Sequence, residues 1–213
     1  MRTRVKICGI TTQTDLSLAV DAGADAIGVI TSIPVDSPRS VSHDKAAALI
    51  DAVPPFVTSV LVTMPDTAEE ALSLYETLSP DVLQLHGTLS EGMLRTIAER
   101  VPLIHAVDAD DTDTMTMASS LADALLIDSL DIDGAGGTGT PHDWDVARRH
   151  VESLDIPVIL AGGLTADNVE IAIDTVQPFA VDVASGVEGP DGKIPHEVRR
   201  FVKAVRSSQG GTE

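Results

Sequence analysis

Cys8 is the one cysteine in the chain, and it follows a short aliphatic run, Val5–Ile7, directly before Gly9. A free thiol ionises near ~8.5, so it works as a base only where neighbouring charge favours the thiolate. Taken alone, Cys8 reads as a small buried hydrophobe. Asp128 follows another such run, Ala124–Ile127, and His86 a third, Val82–Leu85. Their places at the ends of these runs make a site role plausible for each. Taken singly, Asp128 reads as one more solvated loop acid, and His86 reads equally well as a strand-end or core histidine. Arg39, in Ser37-Pro38-Arg39, stands out because cations are scarce: 14 Lys and Arg against 33 Asp and Glu. Its bland reading is a surface ion pair.

Two glycine loops point to an anion. Ala161-Gly162-Gly163-Leu164 and Ser185-Gly186-Val187-Glu188 each follow an aliphatic run. Glycines let backbone N–H groups approach a phosphate, and a helix start at Thr165 would add partial positive charge. Either loop alone would be a tight turn; both together predict a phosphate site at Gly162, Gly163, Ser185 and Gly186. Gly134–Gly139 also reads G-x-G-x-x-G. It lies several residues after its strand and before a helix that begins near Trp144, so it lacks the strand–turn–helix context of a dinucleotide site. A flexible Gly-rich rim loop is the better reading, and a loop that closes over substrate is its functional version. The six histidines show no HExxH spacing, and one cysteine cannot build a zinc site.

These residues need a frame that brings strand ends together. Eight nearly continuous aliphatic runs recur: Val5–Ile7, Ala26–Ile30, Ser59–Val62, Val82–Leu85, Leu103–Ala106, Ala124–Ile127, Val158–Ala161 and Ala180–Val183. Continuous rather than alternating patterning marks strands buried on both faces. Helical patterns alternate with them: Asp15–Ala22, Asp44–Ala52 capped by Ser42, Ala71–Leu78 after an Asp66/Glu69 capping box, Glu91–Arg100 capped by Ser90, Thr112–Leu121, Trp144–Val151, Ala166–Asp174 and His196–Val205. Strict alternation without a composition break predicts a single α/β domain over residues 1–206, a (β/α)8 TIM barrel with its active site at the C-terminal strand ends. The polar, Gly-rich segment 207–213 is expected to fray.

Composition narrows the partners. The 213 residues are 43% hydrophobic but only 2% aromatic, which predicts an aliphatic core. A net charge of −19 argues against nucleic acid and against an anionic membrane surface. The acid is mostly Asp and is spread along the chain, a composition suited to high salt, which screens self-repulsion. There is no signal-peptide pattern and no run near the ~18 apolar residues of a membrane helix, so a cytoplasmic location is expected. The expected partner is a small phosphorylated molecule, bound by a monomer or a homodimer.

The rim motifs together resemble the phosphoribosylanthranilate isomerases of tryptophan biosynthesis. Lys6-Ile7-Cys8-Gly9-Ile10-Thr11 is similar to their opening motif, Ser37-Pro38-Arg39 to their carboxylate loop and Gln84-Leu85-His86-Gly87 to their fourth strand. Leu126-Ile127-Asp128 with Gly136-Gly137-Thr138-Gly139 and Asp143-Trp144 resembles their sixth-strand region. Leu160–Leu164 and Val181–Glu188 resemble their phosphate loops. The resemblance implies an Amadori rearrangement with Asp128 as general acid and Cys8 as general base. It also implies Arg39 on the anthranilate carboxylate, Asp182 on a ribose hydroxyl, and further substrate contacts from His86 and Gly137. No cofactor is implied, because the substrate's own iminium nitrogen is the electron sink. Ile30-Thr31 and Thr63-Met64 stand where the family usually has aromatic residues, and Ala184 stands where it has the first of two serines. The rival readings are a bifunctional isomerase also serving histidine synthesis and a non-catalytic phosphosugar-binding barrel. The former typically uses two aspartates, which Cys8 argues against; intact acid, base and carboxylate-binding residues argue against the latter.

Overall fold

The structure is a computed structural model that describes residues 2–128 and 141–208, with the side chains of 141–143 excepted. Eight parallel strands run in chain order around a closed barrel: β1 (Arg4–Ile7), β2 (Ala26–Ile30), β3 (Thr58–Thr63), β4 (Val82–Leu85), β5 (Leu103–Asp108), β6 (Ala124–Asp128), β7 (Val158–Ala161) and β8 (Ala180–Val183). β1 closes the ring on β8 with Lys6 opposite Asp182. The helices are α1 (Gln13–Ala22), α2 (His43–Asp51), α3 (Ala68–Leu78), α4 (Glu91–Ala98), α5 (Thr112–Ser119), α6 (Pro141–Ser153), α7 (Val169–Val176) and α8 (Pro195–Ser207). Two features go beyond the predicted alternation: a 3-10 turn, Ser185–Val187, and a short antiparallel hairpin of β9 (Glu188–Gly189) and β10 (Gly192–Lys193).

Each helix start follows from local chemistry. Ser42 and Ser90 cap α2 and α4 through their hydroxyls, as expected. The box at α3 sits one residue later than predicted. Thr67 accepts from the Glu70 N–H at 3.1 Å, and the Glu70 carboxylate accepts from the Asp66 N–H at 3.0 Å. A β-region Thr67 supplies the hydroxyl at the right spacing, which leaves Asp66 outside the helix. The start of α7 also differs: Thr165–Asn168 form a turn, and the helix begins at Val169. Asn168 causes the delay. Its side chain accepts from the Thr165 N–H at 2.8 Å and donates to the Gly163 carbonyl at 3.0 Å, tying the glycine loop back on itself. At the other end, Ser207 still belongs to α8 and Ser208 caps it; residues 209–213 of the expected tail lie outside the described residues.

The core is aliphatic, with Trp144 and Phe201 the aromatic members among the buried described residues. One cluster lies between sheet and helices. A second fills the barrel interior, from Val60, Val62, Ile104, Ala106, Leu126 and Ile159 up to Cys8 at the mouth. Side chains two apart share a face of a strand. Lys6 therefore faces the interior with Cys8, Gln84 with His86, and Asp182 with Ala180. No helix among the described residues is long and apolar enough to cross a membrane.

Candidate active site

Cys8 lies just beyond β1, its N–H donating to the Val183 carbonyl at 2.8 Å, with its side chain buried in the barrel mouth. Gly28 makes room for it: a methyl group there would sit 2.7 Å from the Cys8 sulfur. Burial pushes the thiol up, against the opposing pull of the nearby Lys6 ammonium. Lys6 is itself buried, and its Nζ donates to Asp182 Oδ1 at 2.9 Å. Burial works against its charge, but Asp182 and Cys8 more than restore it and hold Lys6 above its ordinary value. Asp182, expected as a ribose partner, thus has one oxygen committed to Lys6. A strand lysine amid apolar residues reads from sequence as an exposed charge, so Lys6 was legible only through its parity with Cys8.

Asp128 ends β6, in register with Asp108 at the end of β5. Its carboxyl is pushed up to about 6, first by burial, then by the nearby Asp182 and Asp108 carboxylates, with Lys6 opposing. Its Oδ1 is buried and has no hydrogen-bond partner among the described residues. Cys8 and Asp128 thus share the same two charged neighbours, Lys6 and Asp182. His86 is held by its N–H to the Thr63 carbonyl at 3.1 Å. Burial and then Lys6 push its imidazole down, so it is neutral at physiological pH. His86, Gly87, Ala106, Asp108 and Asp128 line one side of a cleft of about 200 Å³ at this end of the barrel.

Arg39, a half-buried residue of the loop after β2, donates from Nε to Glu188 Oε2 at 2.8 Å. The ion-pair reading of this residue therefore holds. Gly137 lies outside the described residues. The glycine loops come together: Gly162 and Gly163 take the left-handed region at φ +86° and +58°, and Gly186 packs on the Leu164 backbone. A methyl group at Gly186 would lie 1.9 Å from the Leu164 carbonyl oxygen. Only glycine permits that approach, so Gly186→Ala pushes the two loops apart. The expected result is a loss of ~1–3 kcal/mol in stability, together with weaker binding of inorganic phosphate, read by thermal melts with and without phosphate. An alanine variant that melts and binds phosphate like the parent would show that the loops need no such contact.

The arrangement is a buried thiol and a carboxyl of raised pKa at the C-terminal strand ends of one barrel, both acted on by Lys6 and Asp182, with an arginine in the loop after β2 and glycine loops after β7 and β8. Its relatives have the same fold and a consistent chemistry. The family model for N-(5'-phosphoribosyl)anthranilate (PRA) isomerase matches residues 5–204. The N-(5'-phosphoribosyl)anthranilate isomerase of Halorubrum lacusprofundi is 56% identical over 203 residues, covering 93% of this chain and 94% of its own. Similar enzymes come from several halophilic archaea, in keeping with the acidic composition. The crystal structure of phosphoribosyl anthranilate isomerase from Thermotoga maritima superposes with a TM-score of 0.84 at 35% identity, covering 96% of this chain and 99% of that one. A second such isomerase structure, in complex with reduced 1-(o-carboxyphenylamino)-1-deoxyribulose 5-phosphate, has a TM-score of 0.81 at 34% identity over the same shares. With sequence likeness running almost end to end on a shared closed barrel, this chain belongs to the N-(5'-phosphoribosyl)anthranilate isomerase family.

Proposed function

We propose that Asp128 and Cys8 are the acid and base of an Amadori rearrangement that turns N-(5-phosphoribosyl)anthranilate into 1-(2-carboxyphenylamino)-1-deoxyribulose 5-phosphate. The family activity is this aldose–ketose isomerisation of tryptophan biosynthesis. Asp128 protonates the furanose ring oxygen, and the ring opens as the aniline nitrogen lone pair forms an iminium. Cys8 then takes the C2 proton, giving an enolamine that tautomerises to the ketone. No atom is gained or lost, and the iminium nitrogen accepts and returns the electron pair.

The observation that carries this reading is the opposite preparation of the two groups. A carboxyl that titrates at about 6 is still partly protonated near neutrality and can donate. The thiol, raised by burial, is ready to accept only when positive charge arrives beside it. The iminium brings that charge at the step where a base is needed, and it also acidifies the C2 proton. Ring opening therefore precedes and enables proton removal. Arg39 pairs with the anthranilate carboxylate, Asp182 and His86 with sugar hydroxyls, and Gly162, Gly163, Ser185 and Gly186 with the phosphate. Gly137 contributes from the rim loop. A bound phosphorylated product analogue in a relative of the same fold supports a ligand of this class. The test is the loss of phosphoribosylanthranilate fluorescence when the protein is added in concentrated salt. Steady consumption is expected; none by folded protein would leave a phosphosugar-binding barrel instead.

A further inference from the structure

Glu188 and Lys193 face each other as a cross-strand pair in the β9–β10 hairpin. Both are largely buried: the Lys193 side chain is 1% exposed and that of Glu188 16%. A buried ion pair is weak evidence of stabilisation, because desolvation consumes most of its attraction and an apolar pair would pack as well. The chain has only four lysines, and this one is spent where no water reaches it. Its contacts suggest why. Lys193 Nζ donates to Glu188 Oε1 at 2.5 Å, to the Cys8 carbonyl at 2.5 Å and to the Ala184 carbonyl at 3.2 Å. Three acceptors exhaust the three donors of an ammonium. Lys193 therefore has no proton left for a ligand; it fixes Glu188 against the backbone of Cys8, just beyond β1, and of the loop after β8.

The second Glu188 oxygen, Oε2, holds Arg39 by Nε at 2.8 Å. With Nε occupied, the guanidinium keeps Nη1 and Nη2, the end-on fork that matches a carboxylate with two parallel bonds. Neither makes a hydrogen bond to a described residue. Gly9 completes the seat. At φ +73°, a methyl group there would lie 2.7 Å from Arg39 Cδ and 3.3 Å from Glu188 Oε1. The arginine stem thus lies over the residue next to Cys8, and its free end belongs to the same mouth.

We propose that the Glu188–Lys193 pair is a positioning device that aims the Arg39 fork at the carboxylate of the substrate's aromatic ring and so makes the enzyme selective for a ring that carries one. The proposal rests on the reading of Arg39 as the carboxylate partner. Glu188 and Lys193 are positioning residues; neither is expected to touch the reacting atoms.

The experiment compares kcat/KM for N-(5-phosphoribosyl)anthranilate with that for N-(5-phosphoribosyl)aniline, which lacks the carboxylate. The parent prefers the carboxylated substrate. Arg39→Met abolishes that preference. Glu188→Gln lowers it by at least ~10-fold, mainly through KM for the carboxylated substrate, the size expected when one charge-assisted contact loses its aim. Removing Glu188 alone leaves Lys193 buried without its counter-charge and threatens folding. The double variant Glu188→Gln/Lys193→Met removes both charges, and the same collapse of preference is expected from it. Circular dichroism and melting in the same salt establish that each variant is folded. A folded single or double variant that keeps the parental preference overturns the proposal. So does an equal loss on both substrates, which would make the pair merely structural. If Arg39→Met itself keeps the preference, the carboxylate reading of Arg39 fails first, and that failure is visible without any Glu188 variant.

Discussion

Asp128→Asn lowers kcat by at least ~100-fold and, at pH 8, makes the protein more stable. The kinetic half follows from the proposed role of Asp128, whose proton goes to the ring oxygen. Asn has the shape and hydrogen-bonding capacity of the acid but cannot lose a proton to the substrate. The stability half follows from the carboxyl's raised pKa of about 6. In the unfolded chain the group titrates near ~3.9, so above pH 6 it is ionised in both states, and the folded state carries the cost of burying the charge. A difference of about two units is worth on the order of 2–3 kcal/mol, reduced where salt screens Asp182 and Asp108. As pH falls below 6 the folded group takes up its proton first and the cost shrinks; below about 4 it is gone, because both states are neutral. The Asn variant should therefore gain stability at pH 8 and show little gain at pH 4. Denaturant titrations at the two pH values measure it, and an equal or smaller stability of the variant at pH 8 would contradict the burial argument.

The pH profile of the same variant separates Asp128 from its neighbour His86. The proposed mechanism requires Asp128 protonated and Cys8 ionised, although the carboxyl titrates below the thiol. That form is a minority species. Its population climbs about tenfold per pH unit to about 6, stays level while thiolate gained offsets acid lost, and falls above the thiol's raised value. Without Asp128 the break near 6 disappears, and the residual kcat/KM keeps climbing through neutrality. A break that persists in Asp128→Asn belongs to another group, and His86 is the one at hand.

The barrel was legible because its strands are buried on both faces. Ala26–Ile30, Val82–Leu85, Val158–Ala161 and Ala180–Val183 appear with the bounds their aliphatic runs predicted. The rim followed from the ends of those runs. What stayed hidden depends on contacts between segments far apart in the chain. Asn168 delays α7 through bonds to Thr165 and Gly163, whereas helical periodicity alone placed the start near Thr165. Lys193 lies beyond the last recognised motif, and only the pairing of a two-residue hairpin brings it beside Glu188. The acidity of Asp128 is set first by burial in the closed barrel and then by Asp182 and Asp108, carboxylates on strands β8 and β5, none of which a local pattern around residue 128 reports. Residue identity reveals which groups are present, and the barrel closure decides how each is charged.

Cys8→Ala is expected to lower kcat by at least ~100-fold while leaving KM within a few-fold of the parent. Losing one sulfur from the barrel interior is a small packing change, and Lys6 keeps its bond to Asp182, so the variant should fold. The proposed carboxylate and phosphate contacts do not involve the thiol, so binding is expected to persist. Only removal of the C2 proton is impaired. That places a second, independent signature on the variant. In the proposed mechanism the rate depends on ring opening by Asp128 and then on proton removal by Cys8. In Cys8→Ala, proton removal alone limits it, so substrate deuterated at C2 should show a larger isotope effect than in the parent. The loss of fluorescence with protiated and deuterated substrate measures both quantities. Undiminished turnover would remove Cys8 from the mechanism. A slow variant with no C2 isotope effect would place its defect in ring opening, showing that Cys8 supports the mouth of the barrel rather than receiving the proton.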